Sequence, residues 1–312
     1  MKKVAIIGAG QVGATAALAI SQKEIADVVL IDIMDGVPQG KSLDMLQAGP
    51  LQACDSNLCG SNSCKDVAGA DIVVITAGLA RKPGMTREDL LQKNAEIVKG
   101  VAKDIKECAP DAIVIIVTNP LDVMSYLTLK TTGFDPKKVM GMAGVLDSTR
   151  FRTFIAEELG VSKRDVDAMV LGSHGDSMVP VIECTTVAGI PLAQLMDKKK
   201  IDELAERTKN GGAEIVSYLK TGSAYYAPGY SVAEMVEAII KDSKRVLPIS
   251  VYLNGEYGYD DIYLGLPVIL GKDGVEKIIE IKLSDETKQQ LDNSAEATKK
   301  NIANLKELVK IE

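Results

Sequence analysis

The sequence predicts an α/β fold in which an N-terminal doubly wound parallel sheet is followed by a C-terminal α+β domain. Three observations support this: short Val/Ile-rich runs alternate with helical patterns in the first half, a glycine-rich turn joins the first run to the first helix, and the alternation stops near residue 144. Continuous apolar runs are typical of parallel strands covered on both faces. We therefore expect two domains, at residues 1–144 and 145–312.

Six apolar segments define the predicted parallel sheet. Strong runs occupy residues 4–8, 28–33, 71–76, 112–118 and 138–142, and a weaker edge strand is expected near Leu58 to Asn62. The stretches 11–22 and 86–108 have the spacing and length of helices. Together they predict six strands in doubly wound order.

The pattern changes after residue 144. We expect a helix from near Leu146, strand-like segments, further helices, and a hairpin signalled by the Asn254–Gly255 pair. The strand-like segments are 167–172, 180–189, 245–253, 263–270 and 276–283, and the helices are 198–220, 229–243 and a last one from Ser284. Strands and helices that do not alternate regularly predict an α+β arrangement.

Composition excludes several classes of function. The chain has 312 residues, of which 46% are hydrophobic and 25% charged, with a net charge of -7. An acidic chain lacks the clustered Lys and Arg that nucleic-acid binding uses. Neither a signal peptide nor an apolar run of the ~18 residues that suggest a membrane span is visible, so we expect a cytoplasmic protein that binds neither nucleic acid nor membrane.

Five cysteines include three at five-residue spacing, namely Cys54, Cys59 and Cys64. This spacing fits neither a zinc knuckle nor a common cluster pattern. We expect ordinary thiols on and around the edge strand and no metal site.

The glycine-rich turn is the first candidate site. Residues 8–13 read GAGQVG between a strand and an apolar helix. Gly8 permits the tight turn, Gly10 lets a pyrophosphate approach the backbone, and Gly13 lets the helix pack closely on the strand. The turn residues proposed to bind a dinucleotide are Gly8, Ala9, Gly10, Gln11, Val12 and Gly13. A glycine turn of a non-binding α/β protein is the alternative.

Asp32 strengthens the dinucleotide interpretation. It ends the second strand nineteen residues after Gly13, where a carboxylate can bind both ribose hydroxyls of the cofactor. The same charge would repel a 2′-phosphate, so the sequence favours NAD over NADP.

His174 is the single histidine of the chain and lies in GSHGDS, after a predicted strand. Imidazole titrates near neutrality, which suits a general acid or base. Asp147, near the start of a helix, supplies a carboxylate that can orient the ring and favour its protonated form. We expect the pair to act as a proton shuttle.

Arginines supply candidate anchors for an anionic substrate. The segment LARKPGMTRED at 79–89 carries Arg81, Lys82 and Arg87 and is predicted to form a mobile lid. Arg150 lies three residues after Asp147, on the same helix face. Bidentate guanidinium groups are natural partners of carboxylates.

Several ordered motifs resemble those of the lactate/malate dehydrogenase family across essentially the whole chain. They are GAGQVG, TAG at 76–78, ARKPGMTR, TNPLD at 118–122, VLDSTRFR at 145–152 and GSHGDS. The resemblance implies that His174 exchanges the substrate hydroxyl proton, Asp147 pairs with it, Arg150 holds the C1 carboxylate and Arg87 polarises the reacting oxygen. It further implies that Asn119 contacts substrate and cofactor, and that the NAD site includes Thr76, Ala77, Gly78, Asn94, Val117, Thr118 and Asn119.

Arg81 discriminates between substrates in this interpretation. It stands where lactate-specific family members have glutamine and can pair with a second carboxylate, which favours malate and oxaloacetate and leaves lactate and pyruvate as the alternative. KTGSAYYAPG at 220–229 resembles a second active-site loop, with Ser223 and Ala224 near the substrate. The resemblance also implies a homodimer or homotetramer.

Two other classes of protein share some of these features. NAD-dependent glycosidases have a related fold and a glycine-rich turn, but they need a metal, which draws on His and Cys clusters. A non-catalytic NAD-binding sensor has no need of an acid/base pair beside substrate arginines. Turnover measurements separate the three classes.

Overall fold

In the computed structural model, residues 1–79 and 86–309 are described. The first half alternates strands and helices as predicted. The elements are β1 (Lys3–Ile7), α1 (Gln11–Gln22), β2 (Asp27–Ile31), α2 (Val37–Ala48), β3 (Leu58–Ser61), β4 (Ile72–Ile75), α3 (Arg87–Cys108), β5 (Ile113–Ile116), α4 (Leu121–Thr132) and β6 (Val139–Gly141).

The first six strands form a parallel sheet in the order β6-β5-β4-β1-β2-β3. In β1, Val4 is paired on one side with Val28 and on the other with Ile72. All four residues of β4 and of β5 are buried, because helices cover both faces of the sheet. The predicted doubly wound order is confirmed. It reverses between β1 and β4, and ligands of such sheets collect at the carboxyl ends of the strands beside this point.

The second half mixes short strands, helices and three long strands, as predicted for an α+β arrangement. The elements are α5 (Ala143–Leu159), β7 (Val166–Asp167), β8 (Val170–Leu171), β9 (Val179–Pro180), β10 (Thr186–Val187), β11 (Ile190–Pro191), α6 (Leu192–Leu195), α7 (Lys198–Lys209), α8 (Gly211–Leu219), α9 (Tyr226–Ile240), β12 (Arg245–Asn254), β13 (Asp260–Gly271), β14 (Gly274–Ile278) and α10 (Asp285–Leu308). Its own small core joins α5 to α7 through Phe151, Ile155 and Ile201.

Several local predictions differ from the structure. A 3₁₀ turn at Ile182–Cys184 interrupts the strand-like run 180–189, and β14 ends at Ile278 rather than near residue 283. Helix α5 begins at Ala143 rather than near Leu146. The helix predicted at 198–220 is two helices, because the Asn210 side chain binds the carbonyl oxygen of Glu206 and ends α7. The hairpin predicted at Asn254–Gly255 is confirmed: β12 and β13 pair as antiparallel strands, and their connection includes a short 3₁₀ turn, Glu256–Gly258.

The long C-terminal strands extend the N-terminal sheet, which the sequence analysis did not predict. β12 is antiparallel to β6 through the pair Ser250 and Gly141, and β13 and β14 continue outward. Helix α1 also packs against α9, where Lys23 and Glu237 form an ion pair. The two halves therefore share one sheet.

Three of the cysteines lie on and around the edge strand β3, as predicted. Cys59 is exposed on β3, and Cys54 and Cys64 lie on either side of that strand. Within 1–79 and 86–309 there is no group of His, Cys, Asp and Glu side chains able to hold a metal ion. None of the helices in the same ranges combines the length and apolar character needed to cross a bilayer.

Candidate active site

The glycine turn lies between β1 and α1. Gly8 has φ of 111°, and a Cβ there would lie 2.5 Å from Thr76 Oγ1. A Cβ on Gly13 would lie 1.9 Å from the Gly8 carbonyl oxygen, so helix and turn meet too closely for any side chain. By contrast, among the described residues nothing lies within 4 Å of the position of a Cβ on Gly10, and no side chain caps α1. The first amides of α1 are thus left for an anionic group such as a pyrophosphate, which fits a bound dinucleotide.

Asp32 follows β2 and touches this turn. One carboxylate oxygen accepts the backbone N–H of Ala9 at 2.6 Å, and the other accepts that of Met34 at 3.0 Å. Lys41, on α2, donates to the Ala9 carbonyl oxygen at 2.8 Å. Lys41 could not be predicted as a site residue, because no sequence motif connects a lysine on the second helix with the turn.

A second wall of the site follows β4 and β5. Asn94, which is buried on α3, accepts the N–H of Leu79 at 2.8 Å and donates to the carbonyl oxygen of Asn119 at 2.8 Å. The Thr118 hydroxyl donates to the Ala77 carbonyl oxygen at 2.7 Å. The predicted cofactor residues that the structure brings together here are Thr76, Ala77, Gly78, Asn94, Val117, Thr118 and Asn119.

His174 and Asp147 form a direct pair. The Nδ1 atom of His174 lies 2.8 Å from Asp147 Oδ2, and the Asp147 side chain is 2% exposed. His174 follows β8, whose end is fixed by the reciprocal backbone bonds of Gly172 and Gly265. Because Nδ1 is engaged, Nε2 is the ring nitrogen left for a substrate.

The surroundings of His174 favour its protonated form. Burial acts to lower the pKa of His174, but the charge of Asp147 and the hydrogen bond to it outweigh burial and hold that pKa above the ordinary histidine value. The positive charge of Arg150 acts in the opposite direction, and the charge of Asp122 assists Asp147.

Arg150 shares the same carboxylate. Its Nη1 atom lies 3.2 Å from Asp147 Oδ1, one helical turn along α5. Its stem packs against Gly211 at the start of α8, where a Cβ would lie 3.1 Å from Arg150 Cδ. Its buried Nε has no hydrogen-bond partner in the part of the chain that the structure describes. Among the described residues the guanidinium bonds only to Asp147, so its other Nη donors are left for a ligand.

The remaining predicted arginines cannot be placed in the same way. Arg81 and Lys82 lie outside the described residues, and so does the side chain of Arg87. The backbone of Arg87 begins α3, after Thr86, which accepts the N–H of Asp89 in a capping box. Their roles stay predictions.

Ser223 and Ala224 lie in the connection between α8 and α9. Ser223 is exposed and Ala224 is half-buried. Their place near a substrate also stays a prediction.

Asp122 is a site residue that the sequence analysis did not single out. It is 3% exposed at the start of α4, and its carboxylate accepts the backbone N–H of His174 at 3.0 Å. The signal that points to it is the TNPLD motif, in which it follows Asn119 by three residues.

Comparisons with known proteins agree with this geometry. The sequence model of the lactate/malate dehydrogenase NAD binding domain matches residues 2–141, and that of the family's alpha/beta C-terminal domain matches residues 144–309. The malate dehydrogenase of Heliobacterium modesticaldum is 54% identical, with 97% of this chain and 98% of that protein covered. The malate dehydrogenase of Chlorobium limicola is 55% identical over 97% of this chain and 98% of the relative.

Solved structures give the same result. The apo malate dehydrogenase of Picrophilus torridus has a TM-score of 0.96 and 45% identity, with 98% of both chains covered. The lactate dehydrogenase of Cryptosporidium parvum, complexed with lactic acid and the dinucleotide, has a TM-score of 0.94 and 42% identity, again with 98% of both chains covered. Matches of this extent cover both halves of the molecule, and the chain belongs to the lactate/malate dehydrogenase family.

Proposed function

We propose that this protein catalyses the reversible oxidation of (S)-malate to oxaloacetate with NAD. The observation that carries the proposal is the buried cluster in which one carboxylate, Asp147, holds both the imidazole of His174 and the guanidinium of Arg150. Such a cluster combines a proton acceptor with a carboxylate anchor. Support also comes from the curated relatives, which are malate dehydrogenases.

His174 moves the proton in this reaction. Its free Nε2 accepts the hydroxyl proton as C2 of malate is oxidised, and Asp147 stabilises the imidazolium that results. In the reverse direction the imidazolium returns this proton to the carbonyl oxygen of oxaloacetate. Bound NAD supplies the hydride acceptor.

Arginines bind the two carboxylates in this proposal. Arg150 holds the C1 carboxylate with the donors that Asp147 leaves unused. By the family resemblance, Arg87 polarises the reacting oxygen, Arg81 pairs with the second carboxylate, and Asn119 contacts substrate and cofactor. Residues 1–144 are assigned to NAD and residues 145–312 to the substrate.

The residues assigned to the NAD site gather at the carboxyl ends of β1, β2, β4 and β5, together with Asn94 on α3. They are Gly8, Ala9, Gly10, Gln11, Val12, Gly13, Asp32, Thr76, Ala77, Gly78, Asn94, Val117, Thr118 and Asn119. The uncapped start of α1 receives the pyrophosphate, and the Asp32 carboxylate receives the ribose hydroxyls.

The preference for NADH over NADPH depends on Asp32. Replacing Asp32 with serine removes the charge that repels a 2′-phosphate, so the ratio of the dissociation constants for NADPH and NADH is expected to fall at least ~10-fold, since 1.4 kcal/mol corresponds to a factor of ten. Fluorescence titration of both cofactors measures this ratio. The variant Asp35→Ser, three residues further on, is the control. An unchanged ratio in Asp32→Ser would remove Asp32 from cofactor selection.

Substrate selection depends on Arg81. Arg81→Gln deletes the charge proposed to pair with the second carboxylate. Loss of one partner of a desolvated charge pair costs ~2 to 5 kcal/mol, so kcat/KM for oxaloacetate should fall ~30-fold or more, with pyruvate affected less. The measured quantity is the ratio of the two efficiencies.

Lys82 provides the control for this experiment, because it is the next residue in the sequence and also carries a positive charge. Lys82→Gln and the double variant are assayed alongside Arg81→Gln. If the oxaloacetate-to-pyruvate ratio stays at the wild-type value in all three, Arg81 does not select the substrate. A wild-type ratio that favours pyruvate would instead make lactate the substrate.

A homodimer or homotetramer is part of the proposal. Three leucines on and after α2 are exposed in the single chain: Leu43, Leu46 and Leu51, the last to 89%. Large exposed apolar patches are typical of protein contact surfaces. Light scattering on the purified protein measures the number of chains.

The cytoplasmic location stays a prediction.

A further inference from the structure

Ala9, in the glycine turn, is held from two sides by side chains of opposite charge. Its backbone N–H donates to Asp32 Oδ2 at 2.6 Å, and its carbonyl oxygen accepts a hydrogen bond from Lys41 Nζ at 2.8 Å. Asp32 follows β2 and Lys41 lies on α2, so two separate elements fix one residue of the turn. Both bonds involve a charged side chain, and such bonds are stronger than those between neutral groups.

The bond from Lys41 sets the direction of the next peptide. The peptide between Ala9 and Gly10 is trans, and in a trans peptide the C=O and N–H groups point in opposite directions. With the Ala9 carbonyl oxygen turned towards Lys41 on α2, the Gly10 N–H points away from that helix. Among the described residues this N–H has no hydrogen-bond acceptor. It is therefore left for a ligand, next to the free amides at the start of α1.

Asp32 brings a negative charge to the same turn. A pyrophosphate is also negative, so the carboxylate that is proposed to bind the ribose hydroxyls repels the neighbouring phosphates. The chain as a whole carries a net charge of -7, which provides no general attraction for an anion. The Lys41 ammonium binds the carbonyl oxygen of the residue whose N–H binds Asp32, and its positive charge therefore offsets that of the carboxylate.

We propose that Lys41 is a positioning residue for the cofactor: its ammonium holds the Ala9 carbonyl oxygen, so that the Gly10 N–H faces the pyrophosphate, and its charge offsets that of Asp32. This inference rests on the proposed function for the assignment of the turn to the pyrophosphate. It assigns to Lys41 a part in binding the phosphate-bearing portion of NADH and no part in the transfer of hydride or proton, which takes place beside His174.

Three substitutions of Lys41 test this role. Lys41→Met removes the ammonium and keeps most of the apolar stem, and Lys41→Ala repeats the removal with a shorter side chain, so that the test does not depend on the folding of one variant. Lys41→Arg keeps the charge and the donors. The matched control is Lys3→Met. The Lys3 ammonium also donates to backbone carbonyl oxygens, those of Asp66 and Ala68 at 2.9 and 2.7 Å, but Lys3 lies at the opposite end of β1 from the turn.

Binding is measured with three ligands: NADH, ADP-ribose, which keeps the pyrophosphate but lacks the nicotinamide, and adenosine, which lacks the phosphates. We expect Lys41→Met and Lys41→Ala to raise the dissociation constants for NADH and ADP-ribose ~10-fold, because a hydrogen bond to a charged group is lost. The dissociation constant for adenosine should change less than ~2-fold. Lys41→Arg should recover most of the loss, and Lys3→Met should show none. Fluorescence titration measures NADH, and displacement of NADH measures the other two ligands.

Ionic strength and steady-state kinetics separate this role from general damage to the turn. Because the ammonium acts partly through its charge, the NADH dissociation constant should rise less steeply with ionic strength in Lys41→Met than in the wild type. At saturating NADH, kcat with oxaloacetate should stay within ~3-fold of the wild type, whereas KM for NADH should rise together with the dissociation constant.

Unchanged NADH affinity in both Lys41→Met and Lys41→Ala would overturn the proposal. An equal loss of adenosine binding, or a loss in Lys3→Met as large as in Lys41→Met, would also overturn it, because either result indicates a general effect on the fold rather than on the pyrophosphate. A wild-type protein that binds neither NADH nor ADP-ribose would instead contradict the proposed function.

Discussion

Replacing His174 with asparagine is expected to lower kcat for oxaloacetate reduction at least ~100-fold, the lower end of acid/base contributions. Asparagine keeps a polar group beside Asp147 but cannot exchange a proton near neutral pH. The chain has no other histidine to take over this step. Stopped-flow measurement of NADH oxidation gives kcat, and NADH fluorescence titration on the same variant checks that the dissociation constant is retained.

The pH profile provides the matching control. The pKa of His174 is held above its ordinary value by Asp147, against the opposing effect of burial. Reduction needs the imidazolium, so kcat/KM for oxaloacetate should fall as pH rises through that pKa, whereas malate oxidation should increase over the same range. His174→Asn should lose this dependence. Near-normal turnover, or an unaltered profile, would mean that another group carries the proton.

Replacing Arg150 with alanine is expected to cause the second large loss of kcat/KM for oxaloacetate. Truncating one partner of a buried charge pair costs ~2 to 5 kcal/mol, so kcat/KM for oxaloacetate should fall between ~30-fold and several thousand-fold. Arg150→Lys keeps the charge but loses the planar fork of donors, and it should recover only part of this loss. Steady-state kinetics with oxaloacetate measures both variants.

Arg152 offers a control on the same helix. It lies two residues after Arg150 and donates to the Lys163 carbonyl oxygen at 3.3 Å. Arg152→Ala should therefore retain most of the efficiency. Arg150→Ala should also raise the pKa of His174, because the guanidinium acts to lower it. Equal losses in the two alanine variants would show a general effect on α5 rather than binding of a carboxylate by Arg150.

The parallel sheet could be predicted because its signal is local. Apart from Lys3 at the start of β1, each of β1, β4 and β5 is a short run of buried Val, Ala and Ile residues. Such runs can be recognised in the sequence without knowledge of the partner strands. The glycine turn was similarly accessible, since Gly8 and Gly13 meet the local requirements of a strand, a turn and a helix in succession.

Nonlocal contacts could not be predicted in this way. Ser250 pairs with Gly141 and donates to Asp122, and each partner lies more than a hundred residues away in the sequence. The spacing of apolar residues along the chain gives no information about contacts at such separations. Asp122 itself reads as an ordinary acidic residue in the first turn of a helix. The three donors that its carboxylate accepts come together only in the folded chain. Lys41 and the Ala9 carbonyl oxygen are a further example.

The pairing of β12 with β6 limits how this protein can be divided. β6 borders β5 on one side and is covered by β12, a strand from the other half of the chain, on the other. A fragment that ends near residue 144 would expose the backbone donors and acceptors of β6, and exposed strand edges recruit other chains. Residues 1–144 therefore do not form a unit that can be exchanged by itself between related proteins. Chimaeras that exchange them must carry a β12 that can pair with β6.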